Sequence, residues 1–178
     1  MDTAAESAYA EYVAGHWASL VRAAVFLGAS AHEAEDLAQT TLVRCYARWE
    51  RVSAAENRDA YVYRMLLNAL RDARRSRWWS SRVDRDLEEG PAGREAAGTA
   101  GADTAEAVAV ADAVHRAMAT LTRAHREVVV LRYFVQLSEA QTAAVLGIPP
   151  GTVKSRLSRS LSRLAESSHL HDLTGEHA

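Results

Sequence analysis

Six residues between Gly151 and Ser162 have the types and spacing to meet nucleic acid. Laid out as a helix at about 100° per residue, Gly151, Thr152, Ser155, Ser158, Arg159 and Ser162 gather on one side. On the other side Val153, Leu157, Leu161 and Leu164 fall within about 80° of one another, a stripe suited to burial. Lys154, Arg156 and Arg163 lie on the flanks. Small hydroxyl side chains let a helix approach base edges, while guanidinium and ammonium groups reach phosphates and guanine. Residues 140–165 hold four basic groups and no acid, so nothing there repels a duplex. An ordinary surface helix mixes signs, and this one does not.

A second helical pattern, near 57–79, also pairs an apolar face with a cationic one. Val62, Leu66, Ala69 and Ala73, widened by Met65 and Leu70, form the apolar side. Tyr61, Arg64, Asn68, Arg71 and Arg75 fall within about 80° of one another opposite, and Arg74, Arg77, Trp78 and Trp79 close the helix. Rings interleaved with guanidinium groups and an amide suit single-stranded or distorted DNA, where bases stack and arginine neutralises phosphate. For one of the two tryptophans, hydrophobic closure of the domain is an equal alternative. The pattern at 31–50 has a core stripe of Ala34, Leu37, Ala38, Leu42, Cys45 and Trp49. Its other face, Asp36, Gln39, Thr40, Val43 and Ala47, mixes polar and apolar groups as a protein-docking surface does. Cys45 reads as a small buried hydrophobe. No Gly-rich phosphate loop, Cys/His pair or spaced carboxylate dyad is readable, so neither catalysis, a cofactor nor a small-molecule substrate is expected. His169, His171 and His177 lack carboxylate or thiol partners at ligand spacing, and no metal site is expected.

The elements that must position these faces are all helical. The chain has 178 residues, room for one or two domains, with only three prolines and nine glycines. Helices are expected near 6–27, 31–50, 57–79, 104–120, 123–136, 139–146 and 151–166, with no convincing period-2 strand. Ser30, Ser53, Asp103 and Ser138 each stand three residues before a Glu or Gln, the spacing of a capping box. Gly28 and Gly147 fall where helices should stop. Residues 138–166 then read as a capped helix, a Gly147–Pro150 turn and a longer helix, the layout of a helix-turn-helix. Glu89–Ala102 has five glycines or prolines among small residues and little to bury, and reads as a flexible linker. The expectation is therefore an all-α protein of two small domains: 1–85, a linker at 86–103, 104–168, and a tail at 169–178. One cysteine excludes an internal disulfide, and no run of 18 apolar residues suggests a membrane span. The net charge of −2 resolves along the chain into −4 for 1–63, +5 for 64–85, −6 for 86–112 and +3 for 113–178. The two positive blocks fall on the two cationic helices.

Together these residues resemble the extracytoplasmic-function (group IV) sigma factors of bacterial RNA polymerase, most closely the actinobacterial SigE-type subgroup. Glu35-Asp36-Leu37-Ala38-Gln39, with Arg44 and Trp49, is similar to that family's region 2.2. Ala60 through Arg64, then Asn68, Asp72, Arg74-Arg75 and Trp78-Trp79, is similar to regions 2.3–2.4. Leu121–Val128, Leu131-Arg132-Tyr133 and Leu137–Leu164 resemble region 4, the most specific of the three. Thr40, Tyr61 and Thr122 depart from the commonest family residues, an acid, a tryptophan and a proline.

The resemblance implies roles for the faces. Asp36 and Gln39, with Thr40 and Val43 on the same face, would dock on the β′ clamp helices of core polymerase, with the β flap as a further contact. Asn57, Arg58, Tyr61, Arg64, Asn68, Arg71, Arg74 and Arg75 would open and read the −10 element. Thr152, Lys154, Ser155, Arg156, Ser158 and Arg159 would read the −35 element in the major groove. Such a protein works in the cytoplasm at the nucleoid, needs no cofactor, and can answer to an anti-sigma factor. The alternative is a LuxR-type helix-turn-helix regulator, which shares a Thr-Val-Lys run; the first 85 residues lack the alternating strands of a receiver domain. If Arg159 reads a base, Arg159→Ala costs about 1–3 kcal/mol of discrimination at one −35 position. Binding measured on single-base variants of the site checks this, and unchanged discrimination removes Arg159 from the reading set.

Overall fold

A computed structural model of the chain describes residues 3–83 and 105–167, with side chains described for 3–76 and 110–167. The first stretch forms α1 (Thr3–Phe26), α2 (Ala31–Tyr46), α3 (Trp49–Ser53) and α4 (Arg58–Val83). The second forms α5 (Ala105–Ala119), α6 (Arg123–Val129), a π-helical turn (Val130–Phe134), α7 (Glu139–Leu146) and α8 (Pro150–Ala165). No strand occurs among the described residues, as the all-α expectation requires. They divide into two compact units, one built on α1–α4 and the other on α5–α8. The expected linker, the Asp103 cap, the C-terminal histidines and the side chains of Arg77, Trp78 and Trp79 lie outside the described residues. No described helix is long and apolar enough to cross a membrane.

After α1, Gly28 takes φ 92°, and Ser30 and Glu33 close the expected capping box at the start of α2. The Ser30 N–H donates to Glu33 Oε2 at 2.9 Å, and the Glu33 N–H to Ser30 Oγ at 3.4 Å. The expected core stripe of α2 is buried throughout. The helix itself stops four residues early. Arg48 leaves the helical region (φ −131°, ψ 24°) and α3 starts anew at Trp49. That break seats the Trp49 ring at 5.3 Å from Tyr9 and 5.6 Å from Tyr12 of α1, with aromatic contact outweighing a few more residues of straight helix. Ser53 does not cap the following helix; its hydroxyl donates to the Glu50 carbonyl at 3.2 Å. The cap is Asn57, whose Oδ1 accepts from the Ala60 N–H at 2.7 Å.

The buried side of α4 is wider than the expected stripe. Tyr63 and Leu67 join Val62, Met65, Leu66, Ala69 and Leu70, while Ala73 is half-buried. Cys45 packs against it with Sγ 3.5 Å from Met65 Sδ, and burial pushes the thiol up to about 11. The buried Thr41 hydroxyl donates to the Leu37 carbonyl at 2.7 Å, removing the cost of an orphan donor.

In the second unit Arg126 joins α6 to the end of α5. Its Nε donates to the Met118 carbonyl at 3.0 Å, and its Nη2 to those of Ala119 and Leu121 at 3.1 Å. A cation thus satisfies carbonyls that the helix end leaves without partners. The helix expected over 123–136 divides: after Val129 the chain forms a π-helical turn, and Gln136 takes φ 59°. The Val135 N–H donates to the Val130 carbonyl and the Leu137 N–H to that of Leu131, while the Arg132 guanidinium donates to the Leu137 carbonyl. Ser138 and Gln141 close the second capping box. Gly147 ends α7 in the left-handed conformation (φ 68°, ψ 39°), and Pro150 opens α8 at its first position.

Candidate nucleic-acid interface

α8 packs against α6 and α7, and the small core beneath it holds Val128, Ala143 and Val153, with Leu146, Ile148 and Leu157 against them. The inward line is Val153 and Ser160, buried, with Leu157 and Leu164 half-buried, rather than the expected all-apolar stripe. Ser160 is fully buried, whereas Leu161 is 38% exposed. A serine can occupy that seam because its hydroxyl donates to the Arg156 carbonyl of the preceding turn at 2.7 Å. The centre of the seam thereby turns by a fraction of a residue. The face opposite is as expected: Ser155, Ser158, Arg159 and Ser162 are exposed, with Lys154 beside them and Thr152 and Arg156 half-buried. Ser155 Oγ donates to the Thr152 carbonyl at 3.2 Å and Ser162 Oγ to that of Ser158, also at 3.2 Å. Hydroxyls held back on their own helix keep the surface low enough for close approach to a groove.

On α4, Arg64, Asn68 and Arg75 are exposed and Tyr61, Arg71 and Arg74 half-buried, so the expected cationic side exists as a side. Arg75 meets Asp72 at 3.3 Å in an exposed pair, a weak interaction that a phosphate can replace. Asn57 and Arg58 carry structural duties as well. Asn57 caps α4. The Arg58 guanidinium lies 5.7 Å from the centre of the Tyr12 ring and 5.4 Å from that of Trp49. Asp59 accepts from Tyr12 Oη at 3.3 Å and lies 3.5 Å from His16 Nε2. Burial first, then the Asp59 charge, pushes the Tyr12 phenol far up, so it stays a donor. These contacts fix the start of α4, and no spacing in the sequence announced them.

Asp36, Gln39, Thr40 and Val43 are all exposed on the outer side of α2. Val43 is 62% exposed, and Tyr46, three residues on and absent from the expected set, is 48% exposed. Two apolar groups beside an acid and an amide form a surface suited to a protein partner. Spacing alone places Tyr46 there, since a residue three after Val43 shares its side of a helix.

A capped helix, a left-handed glycine turn and an acid-free exposed helix define a helix-turn-helix DNA-binding protein. Comparison with known proteins narrows the class. The family model for sigma-70 region 2 matches residues 13–80, and that for sigma-70 region 4 matches residues 111–164. An RNA polymerase sigma-E factor of Streptomyces avermitilis is 37% identical over 93% of this chain and 87% of its own. One from Streptomyces antibioticus is 40% identical over 79% of this chain and 73% of its own. The sigma factor RpoE of Bartonella quintana, solved in complex with the anti-sigma factor NepR, shares the fold at a TM-score of 0.69, with 24% identity over 89% of this chain and 94% of that one. The chain belongs to the extracytoplasmic-function sigma factors of RNA polymerase, the sigma-70 family's SigE-type members. The region 2 match separates it from a stand-alone LuxR-type regulator.

The double duty of Asn57 yields a test. Asn57→Ala removes the α4 cap and lowers stability by about 1 kcal/mol in urea unfolding. Asn68→Ala, on an exposed mid-helix site, leaves the unfolding midpoint almost unchanged. A wild-type midpoint for Asn57→Ala shows that the side chain is not needed as a cap.

Proposed function

We propose that this sigma factor docks on the β′ clamp helices of core polymerase through Asp36, Gln39, Thr40 and Val43. Tyr61, Arg64, Asn68, Arg71, Arg74 and Arg75 then hold the opened −10 strand, with Asn57 and Arg58 at the head of the same helix. α8 lies in the major groove of the −35 duplex with Thr152, Lys154, Ser155, Arg156, Ser158 and Arg159 toward the bases and backbone. In this reading residues 1–85 are the polymerase- and −10-binding domain, 104–168 the −35-binding domain resting on the β flap, and 86–103 the tether. Nucleotide addition belongs to the core enzyme, and the chain contributes recognition. The observation that carries the reading is the division of α8 between a fully buried Val153 and an exposed face without acid. Its place of action is the cytoplasm at the nucleoid.

An anti-sigma factor is proposed as its controlling partner. Support comes from the Bartonella complex above and from CnrH, solved with the cytosolic domain of CnrY, which shares the fold at a TM-score of 0.65 and 23% identity. The tether would let such a partner engage each domain.

Run-off transcription with purified core polymerase tests the whole reading. The chain should confine initiation to promoters with paired −35 and −10 blocks, and failure to bind core contradicts it. Asp36→Ala should weaken core binding by about 1–2 kcal/mol, roughly five- to thirtyfold, without changing the fold. Equal core affinity for this variant removes the α2 face from the docking surface.

A further inference from the structure

The arginines of the second unit sort into two groups. Arg116 pairs with Asp112, Arg123 with Glu127 at 3.0 Å, Arg126 with three carbonyls, and Arg132 with the Leu137 carbonyl. All four are thus tied to the protein. Arg156, Arg159 and Arg163 are not: among the described residues no carboxylate pairs with them. They lie within about 60° of one another around α8, Arg156 and Arg163 on its flank and Arg159 at the edge of its exposed face. Three like charges on consecutive turns repel one another and destabilise the helix unless an anion meets them.

His125 of α6 belongs to the same place. α6 packs against α8, and the half-buried imidazole is held below its ordinary value by burial and then by the charges of Arg156, Arg159 and Arg163. On its own helix the nearby ionisable groups are Arg123 and Glu127, paired with each other, and Arg126, on carbonyls. Arg132 of the π-helical turn is occupied as well. Alongside, an open cleft of about 610 Å³ is bordered by Thr120, Ser158, Ser162, Arg159 and Arg163, with Glu166 as its one acid.

We propose that Arg163 and His125, with Arg156 and Arg159 of the reading set, form a clamp for the backbone phosphates of duplex DNA beside the base-reading face. The inference rests on α8 being the −35 reader and adds Arg163 and His125, which that reading does not use. The flank adjoins the reading face, so a duplex seated on Ser155 and Arg159 brings one strand's backbone along it. Contacts to phosphate fix register without reading sequence. The clamp is also linked to protons. In free protein the arginines oppose a charge on His125; a phosphate neutralises them and favours the imidazolium. Binding then takes up a proton, so affinity rises as pH falls through the imidazole range.

The test uses holoenzyme assembled from the full chain and core polymerase. The DNA is a promoter fragment that supports initiation, alongside the same fragment with its −35 block randomised. Arg163→Gln should weaken binding to both DNAs by the same factor and flatten the slope of log affinity against log salt by about 0.9. Arg163→Lys should restore the slope, which a loss of folding could not explain. The ratio of wild-type to His125→Gln affinity should grow between about pH 8 and about pH 6, by at most tenfold per unit. A wild-type salt slope for Arg163→Gln overturns the clamp, and a ratio flat with pH does so for His125. Arg159→Ala separates the two levels. If it erases the preference for the −35 block while the clamp variants behave as wild type, the clamp alone fails. If it leaves that preference intact while the Arg163 and His125 effects stand, Arg159 leaves the reading set and the clamp holds without it.

Discussion

Which side of α8 meets water depends on one backbone turn. At Gly147 the chain takes φ 68° and ψ 39°, and both the Gly147 and Ile148 N–H groups donate to the Ala143 carbonyl, at 2.9 and 3.1 Å. A Cβ at Gly147 would meet nothing within 4 Å, so the demand is conformational and not one of space. An ordinary L-residue would pay about 1–2 kcal/mol for that geometry. Once the turn is set, Pro149 is extended, Pro150 starts the helix, and Val153 falls onto Val128 and Ala143. With one side of α8 seated in the core, Ser155, Ser158, Arg159 and Ser162 are left facing solvent. Substituting the turn would therefore change the aim of the helix before it changed any side chain at the surface.

The first unit solves a different problem, holding a long cationic helix whose own charges favour solvent. It does so at the near end. Tyr9 and Tyr12 of α1 gather Trp49, Arg58 lies over Tyr12 and Trp49, and Asp59 bridges toward His16. α2 packs on α4 through Cys45 and Met65, leaving Asp36, Gln39, Thr40 and Val43 outward. Acid concentrates in residues 1–63, which carry the proposed polymerase-docking face, and in 86–112, while positive charge follows the two helices proposed to meet DNA. The overall charge of −2 averages these away and carries no information about the partner.

Much of this was legible beforehand, for reasons that can be named. Both capping boxes, the Gly147 stop, the proline start of α8 and the core stripe of α2 are local rules written in neighbouring residues. The break at Arg48 was not, because it goes with distant groups, the Tyr9 and Tyr12 rings that seat Trp49; nor was that at Val130, where the Arg132 guanidinium meets the Leu137 carbonyl five residues on and no hydrophobic period announces it. Ser160 and Leu161 exchanged places for a similar reason, since hydropathy ignores a hydroxyl that satisfies itself on the preceding turn. On the DNA side, helical spacing located the exposed faces of α4 and α8 but could not assign Asn57 to a cap or Arg58 to a ring. Spacing does flag Asp112–Arg116 and Arg123–Glu127 as four-residue helix pairs, but it could not show that Arg126 is spent on the carbonyls that end α5.

The central claim is that the exposed face of α8 carries promoter specificity while α4 acts separately on the −10 element. It is tested most directly by selecting promoters from a library randomised in both blocks, using holoenzyme carrying either the wild-type chain or a Ser155→Ala, Arg159→Ala double variant. The account predicts altered base preference at one or two adjacent −35 positions and unchanged −10 preference. An unaltered −35 preference, or a shift confined to the −10 block, would contradict it.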